Sequence, residues 1–273
     1  MSGLVIDGLR WEVRARGVGD PLLLLHGFTG RGTAWGTHTA VFARSFRTIV
    51  VDLPGHGRTG IHDDPVRMGI ERTADDLASI LVRLGAVPAR ILGYSLGARI
   101  ALRLAVAHPD VVARVVLESP SAGLASAAEQ WSRRRADAAL ADALERDGIE
   151  SFVDAWEQQP IFASHAALPP SRSARIRRGR LDNRAAGLAA SLRAAGQGSM
   201  EPLHDRLHAV VAPALVIAGA LDAAGRARAE AVAAAMPAAR LAIIDGAGHT
   251  PHEERPLQFR RLALEFLQED PAP

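Results

Sequence analysis

The chain has 273 residues, 48% of them apolar and 23% charged, which is an ordinary composition for a soluble globular protein. The net charge is only +2, and the arginine clusters at 133–135 and 175–180 lack interleaved aromatic residues, so nucleic-acid binding is disfavoured. No apolar run reaches the roughly 18 residues of a membrane span, and no signal-peptide pattern opens the chain, so we expect a cytoplasmic protein that does not enter a membrane. The absence of cysteine excludes disulfides and thiolate metal sites.

Short apolar runs alternate with helical patterns through the first 120 residues. The runs cover 22–25, 48–51, 90–92 and 112–117. Runs this short and unbroken predict strands that are buried on both faces of a parallel sheet. A helical stretch over 73–84 carries its leucines on one face, and such strand–helix alternation predicts an α/β sheet with right-handed crossovers.

The pattern changes after Pro120, where helical and arginine-rich sequence replaces the strands. Strands resume at 214–218 and 241–244. The sequence therefore predicts an α/β fold, with a mostly parallel central sheet flanked by helices and a helical cap inserted after the sixth strand. The expected division of the chain is a first part of the core over 1–123, a cap over 124–195, a second part of the core over 196–269, and a frayed tail over 270–273.

The run Gly93-Tyr94-Ser95-Leu96-Gly97 matches the pattern G-x-S-x-G. It follows a predicted strand and precedes an Ala/Leu-rich helical pattern, so Ser95 is expected at a strand-to-helix turn. The helix N-terminus there favours developing negative charge. We expect the backbone amides of Phe28 and Leu96 to form an oxyanion hole beside this serine.

Asp222 and His249 complete the chain order Ser…Asp…His of a catalytic triad. Both follow predicted strands at their carboxyl ends, which is the edge where ligands bind in open α/β sheets. Asp222 alone is also typical of a turn or a helix cap, and His249 with His252 also fits a metal pair. Because no acidic or cysteine ligand motif accompanies the two histidines, we expect neither a metal nor an organic cofactor.

Taken together, these motifs resemble the α/β-hydrolase superfamily across nearly the whole chain. Their finer pattern is similar to the 2-succinyl-6-hydroxy-2,4-cyclohexadiene-1-carboxylate synthase (MenH) family. The resemblance is carried by LHGFTG (25–30), DLPGHG (52–57), GYSLGARIAL (93–102), ESPSAGL (118–124), WEQQPIFAS (156–164), RLDNRAAGLAASLR (180–193), AGAL-D (218–222) and DGAGHTPHEE (245–254). The stretches 156–164 and 180–193 lie in the predicted cap insertion and are the most diagnostic, since a generic hydrolase cap would not share them.

The resemblance implies an α/β-hydrolase fold and a set of site residues. The implied triad is Ser95, Asp222 and His249, and the implied substrate contacts are Tyr94, Arg99, Arg133, Trp156 and Arg180. Arg134 competes with Arg133, while Arg177 and Arg178 are alternatives to Arg180. One departure is that Ala223-Ala224 follow the acid where the family usually has a lysine and an aromatic residue, which affects the packing of that loop.

The implied reaction is a lyase step of menaquinone biosynthesis, in which pyruvate is eliminated from 2-succinyl-5-enolpyruvyl-6-hydroxy-3-cyclohexene-1-carboxylate. Its three carboxylates suit arginine side chains, so the expected partner is a small polyanionic substrate. Our hypothesis is that Ser95 acts as the base and that the oxyanion hole stabilises an enolate. The alternatives are a carboxylesterase, a carbon–carbon bond hydrolase of the same fold, and a non-catalytic binding protein, which would not need a complete triad. We expect a monomer or a weak homo-oligomer.

Overall fold

The computed structural model describes residues 3–269, and a seven-stranded sheet runs through their centre. The strands are β1 (Leu4–Ile6), β2 (Leu9–Trp11), β3 (Val13–Arg16), β4 (Pro21–Leu25), β5 (Arg47–Val51), β6 (Ala89–Tyr94), β7 (Val112–Glu118), β8 (Ala214–Gly219) and β9 (Ala239–Ile244). β1 and β2 pair with each other in a small antiparallel sheet. The main sheet has the order β3-β5-β4-β6-β7-β8-β9, in which only β3 runs antiparallel to its neighbour.

The helices are α1 (Gly36–Phe42), α2 (Ile70–Arg83), α3 (Leu96–Ala107), α4 (Ala127–Glu157, with a kink at Gly148), α5 (Pro170–Leu181), α6 (Ala185–Ala195), α7 (Ala223–Ala235), α8 (Pro251–Glu254) and α9 (Pro256–Leu267). Of these, α1, α2, α3, α7 and α9 cover the two faces of the sheet. Along β4, Leu23 and Leu25 face the core layer that contains α2, α3 and α7, whereas Leu22 and Leu24 face α1 and α9. Alternate side chains of one strand thus enter two apolar layers, as the unbroken apolar runs predicted. The predicted α/β class with a mostly parallel central sheet is confirmed.

A separate layer is formed by α4, α5 and α6, which follow β7. The layer has its own apolar cluster, built mainly from Ala141, Leu144, Phe152, Val153, Leu188, Ala189 and Leu192. We propose that this layer is the cap of residues 124–195. It follows the seventh strand of the described chain and not the sixth, because the segment before Asp20 contributes three short strands. The predicted frayed tail, 270–273, lies outside the described residues.

The cap layer is fixed to the loops at one edge of the sheet. The Asn183 side-chain amide donates to the Thr29 carbonyl (2.8 Å), and its oxygen accepts from the Gly57 amide (2.9 Å). At a second point Gly187 of α6 approaches Gly55 so closely that a Cβ on Gly187 would lie 2.1 Å from the Gly55 carbonyl oxygen. No helix in residues 3–269 combines the length and the hydropathy that crossing a bilayer requires.

We expect Gly187→Ala to lower the free energy of unfolding by roughly 1–3 kcal/mol, because the added methyl group forces backbones apart. Gly179→Ala is the matched control. Gly179 also lies within a cap helix, but a methyl group added there would have no neighbour within 4 Å, so this change should raise stability by about 0.5–1 kcal/mol. Urea denaturation measures both. Equal stability of the two variants would contradict the tight contact between Gly55 and Gly187.

Candidate active site

Ser95 occupies a strained turn between β6 and α3. Its backbone adopts φ 50° and ψ −105°, a conformation that residues with side chains rarely adopt. The turn is tight because a Cβ on Gly97 would lie 2.2 Å from the Leu25 carbonyl oxygen, and a Cβ on Gly93 would lie 2.3 Å from the Gly97 carbonyl oxygen. The two glycines therefore let the start of α3 rest directly on the end of β4, which exposes the serine at the carboxyl edge of the sheet.

Ser95, His249 and Asp222 meet at this edge. Asp222 follows β8, and its Oδ2 lies 2.8 Å from Nδ1 of His249, which follows β9. Nε2 of His249 lies 3.2 Å from the Ser95 Oγ, so a Nδ1–H tautomer leaves Nε2 able to accept the serine proton. Burial raises the pKa of Asp222, but hydrogen bonds from His249 and the Gly225 amide outweigh it and hold the pKa below its ordinary value. The aspartate is therefore ionised at neutral pH.

Buried polar groups hold the loop that carries His249. The Ser119 hydroxyl donates to the His249 carbonyl (2.9 Å), and the Glu254 carboxylate accepts from the amides of Gly248 (2.7 Å) and Thr250 (3.0 Å). His252 turns away from His249, because its Nδ1 lies 2.9 Å from a Glu118 carboxylate oxygen. The two histidines thus do not converge, and within residues 3–269 no group of three or more His, Asp or Glu side chains could hold a metal ion.

Two free backbone amides point to an oxyanion hole. Among residues 3–269, neither the Phe28 amide nor the Leu96 amide has a hydrogen-bond acceptor, and both residues line the same cavity as Ser95. His26 braces the Phe28 turn, since its Nδ1–H donates to the Gly27 carbonyl (2.8 Å) and its Nε2 accepts from the Leu53 amide (2.9 Å). Donors held in place before the reaction stabilise charge that develops on an oxygen beside the serine.

The cavity around Ser95 has a volume of about 620 Å³. Four of the five substrate contacts expected from the sequence line it, namely Tyr94, Arg99, Arg133 and Trp156. Arg180 lines a neighbouring cavity of about 260 Å³ instead. Phe28, Tyr94 and Phe162 belong to the walls of both cavities, so these aromatic side chains stand between them.

Arg99 and Arg133 differ in their partners. Arg99 donates to the Ala195 carbonyl (3.0 Å) and forms no ion pair within residues 3–269. Burial, and then the charge of Arg133, lowers the pKa of Arg99 to about 10, so Arg99 stays protonated at neutral pH. Arg133 is paired with Asp137 (2.8 Å) one helical turn away. Its competitor Arg134 donates to the Gly198 carbonyl (2.8 Å) and does not line the cavity.

Arg180 is held away from the cavity that contains Ser95. Its guanidinium donates to Glu157 (2.9 Å) and lies 4.7 Å from the centre of the Phe162 ring, a cation–π contact. Of its two alternatives, Arg177 pairs with Asp154 and Glu157 and lines neither cavity, whereas Arg178 lines the smaller one. The structure thus brings Arg180 near the site but not into the same cavity as the triad.

Two of the aromatic residues that line the larger cavity carry a polar group. The buried indole Nε1 of Trp156 has no partner within residues 3–269, although an unpaired buried N–H costs about 1–3 kcal/mol. Its ring is fixed between Phe28 (5.2 Å) and Phe152 (5.6 Å between ring centres). The Tyr94 ring packs on His249 (5.6 Å), and burial raises the pKa of the phenol well above its ordinary value, so Tyr94 remains a neutral donor.

Comparison with known proteins agrees with this geometry. The model of the alpha/beta hydrolase fold family matches residues 20–256. A Bacillus subtilis (strain 168) protein, to which the name 2-succinyl-6-hydroxy-2,4-cyclohexadiene-1-carboxylate synthase is assigned provisionally, is 37% identical over 96% of both chains. The Enterobacter sp. (strain 638) synthase of that name is 31% identical over 95% of this chain and 96% of its own. The structure of MenH from S. aureus superposes with a TM-score of 0.89 at 32% identity, covering 94% of this chain and 97% of the other.

The chain belongs to the 2-succinyl-6-hydroxy-2,4-cyclohexadiene-1-carboxylate synthase family. Membership confirms the α/β-hydrolase fold that the sequence motifs indicated. Two contributors to this family member's site were not recognised in the sequence. Ser119 anchors the backbone of His249, and Arg228 of α7 lines the larger cavity. The sequence pattern does not distinguish Arg228 from the nearby Arg226. Only the orientation of α7 in the folded chain shows that Arg228, and not Arg226, lines the cavity.

The buried His26 predicts a pH dependence of stability. Burial lowers its pKa to about 4, partly offset by the hydrogen bond to Gly27, whereas the unfolded chain has the ordinary value near 6.5. Between about pH 6.5 and 4 the unfolded state therefore binds more protons, and stability falls as the pH is lowered through this window. We expect His26→Gln to reduce the slope of unfolding free energy against pH by up to about 1.4 kcal/mol per pH unit.

Urea denaturation at pH values from 7 to 4 measures that slope. His56 and His38, with pKa values lowered by burial to about 3, contribute to the same trend and remain in the variant as an internal reference. An unchanged slope in His26→Gln, or a His26 imidazole that titrates near pH 6.5 by NMR, would show that the ring is not held neutral.

Proposed function

We propose that this protein is a lyase that eliminates pyruvate from 2-succinyl-5-enolpyruvyl-6-hydroxy-3-cyclohexene-1-carboxylate, giving 2-succinyl-6-hydroxy-2,4-cyclohexadiene-1-carboxylate for menaquinone biosynthesis. The observation that carries the proposal is the cavity of about 620 Å³, which combines the hydrogen-bonded Ser95 with the charged Arg99, which forms no ion pair within residues 3–269. The names of the B. subtilis and Enterobacter relatives support the same reaction.

The proposed chemistry begins with a proton transfer. Ser95 Oγ removes the proton alpha to the succinyl ketone while His249 Nε2, 3.2 Å away, accepts the serine proton. The ketone oxygen gains negative charge, which the amides of Phe28 and Leu96 stabilise. The electron pair then moves through the ring double bond and the carbon–oxygen bond to the enolpyruvyl group breaks. The enolate leaves, takes a proton and becomes pyruvate, so no redox partner is needed.

The positive side chains of the cavity suit the three carboxylates of this substrate. We propose that Arg99, Arg133 and the Trp156 indole N–H bind them, since hydrogen bonds to charged groups contribute about 1.5–3 kcal/mol each. Arg180 faces the smaller cavity, so its role in binding requires a substrate arm that extends past Tyr94 and Phe162. A neutral ester would leave the Arg99 guanidinium without an ion pair, which favours the lyase over a carboxylesterase.

The same reasoning extends to the setting in which the enzyme works. The lack of cysteine fits a reducing compartment, and we infer a cytoplasmic enzyme that acts on a small polyanion. The cavity is lined by core and cap residues of a single chain, and we infer a monomer or weak homo-oligomer.

The direct test of the function is pyruvate release. With substrate made in situ from isochorismate, the protein should accelerate pyruvate release above the spontaneous rate, as followed by coupled oxidation of NADH. Ser95→Ala should lower kcat by about 10²–10⁴-fold, because the proton-transfer group is lost while the cavity remains.

Circular dichroism checks that Ser95→Ala is folded. No acceleration by the wild-type protein, together with fast turnover of p-nitrophenyl esters, would replace the lyase by a hydrolase. An acyl-enzyme detected by mass spectrometry would contradict the role of Ser95 as a base.

A second prediction concerns the charge one turn after the serine. Arg99→Gln should lower kcat/KM for elimination by about 10–100-fold, since a desolvated charge that faces the substrate is lost. Arg103→Gln is the matched control on α3, because Arg103 pairs with Glu201 and does not line the cavity. Steady-state kinetics with both variants measures the effect, and equal losses would mean that Arg99 serves the fold and not the substrate.

A further inference from the structure

Three arginines line the cavity around Ser95, and only one of them forms neither a hydrogen bond nor an ion pair within residues 3–269. Arg99 donates to the Ala195 carbonyl and Arg133 pairs with Asp137. Arg228 of α7 makes no hydrogen bond or ion pair with any part of the described chain. On the same helix the exposed Arg226 is paired with Glu230 at 2.7 Å. Arg226 thus has a carboxylate within ion-pair distance on α7, whereas Arg228 forms no ion pair within residues 3–269.

Arg228 stands where cavities meet. Besides the cavity of Ser95, it lines an adjoining cavity of about 530 Å³ that borders Asp222. Ile161 is the other residue shared by these two cavities, so Arg228 and Ile161 form the boundary between them. The side chain is partly buried, and a fixed positive charge in such a place is stabilised most by an anion that enters from the cavity.

We propose that Arg228 binds one carboxylate of the substrate at the boundary of the two cavities and so contributes to selectivity for polyanions. The proposal rests on the proposed function and adds to it a residue outside the positions that the family resemblance assigned. Arg228 supplies two parallel N–H donors to the carboxylate without first breaking a bond within residues 3–269. It binds the ground state and the transition state alike, because the carboxylate does not change during elimination.

Arg228 also acts on Asp222. Its charge is one of the smaller causes that keep the pKa of the Asp222 carboxylate low. A role limited to Asp222 would alter kcat and the acidic limb of its pH profile, since the orientation of His249 depends on that carboxylate. A carboxylate-binding role raises KM and leaves both nearly unchanged.

The experiment compares Arg228→Gln, Arg228→Lys and the matched control Arg226→Gln in the pyruvate-release assay. We expect Arg228→Gln to raise KM about tenfold or more with kcat changed less than about threefold, Arg228→Lys to recover part of the loss, and Arg226→Gln to match the wild type. A normal KM in Arg228→Gln, or a loss confined to kcat with a shifted pH profile, overturns the proposal while the function stands.

A binding measurement separates failure of this proposal from failure of the function. Calorimetric titration with propane-1,2,3-tricarboxylate as a tricarboxylate probe should give about tenfold weaker binding to Arg228→Gln than to the wild type and to Arg226→Gln. Absence of pyruvate release by the wild type overturns the proposed function. In that case the titration still tests whether Arg228 binds a carboxylate. Equal affinities, or no binding to the wild type, overturn the role of Arg228. Arg228→Lys provides the same comparison if Arg228→Gln does not fold.

Discussion

The contact between Gly97 and the end of β4 is the constraint on which the site geometry depends. Because the Gly97 backbone rests on the Leu25 carbonyl, α3 must begin directly beside the turn that contains Phe28. The same contact forces Ser95 into its strained conformation and brings two unbonded amides to one side of it. A single methyl group at Gly97 would separate these elements, so the turn that carries Ser95 and the proposed oxyanion hole are one structural feature.

Buried carboxylates fix the other half of the site. Glu118, at the end of β7, is fully buried and accepts from the backbone amide of His252 (2.8 Å) as well as from its ring. Burial lowers the pKa of His252, but the charge of Glu118 outweighs it and raises the pKa above the ordinary value. Such buried pairs add little net stability, because desolvation offsets their attraction. Their effect here is orientation, since Glu118 and Glu254 together hold the segment on both sides of His249.

The convergence of Ser95, Asp222 and His249 was predictable because the position of each residue depends only on the order and direction of the strands. Ser95, Asp222 and His249 follow strands, and parallel strands end at one edge, so chain order and turn residues predicted their convergence before any side chain was placed. The fold class was predictable as well, because unbroken apolar runs indicate strands that are buried on both faces and helical periodicity indicates helices with one buried face. The number of strands before the cap was not, because the short strands near the N-terminus have no comparable apolar run.

Which cavity each arginine side chain lines depends on its hydrogen-bond and ion-pair partners, and the helical sequence pattern does not identify all of these partners. Arg133 and Arg134 are adjacent on α4, yet one pairs with Asp137 and faces the cavity while the other bonds to the Gly198 carbonyl. Arg180 lies in the smaller cavity because Glu157 holds it there. A long side chain with several rotamers can also bind residues that are distant in sequence, as Arg134 and Arg180 do, and only the assembled structure identifies those partners.

In the proposed reaction, the charge balance of the cavity explains how a triad found in hydrolases can serve an elimination. Arg99 and Arg228 form no ion pair within residues 3–269, and burial and then the charge of Arg133 lower the pKa of Arg99, so the cations of the cavity wall repel one another, and Asp137 and Glu71 offset only part of this effect. A substrate with several carboxylates relieves this repulsion at each point of contact, whereas a neutral ester relieves none of it. In the proposed mechanism, carboxylates held on these cations place the carbon alpha to the ketone, and not a carboxyl carbon, next to Ser95. Ser95 then lies closer to the proton that is removed than to a carbonyl carbon that it could attack, which favours proton abstraction over acyl transfer.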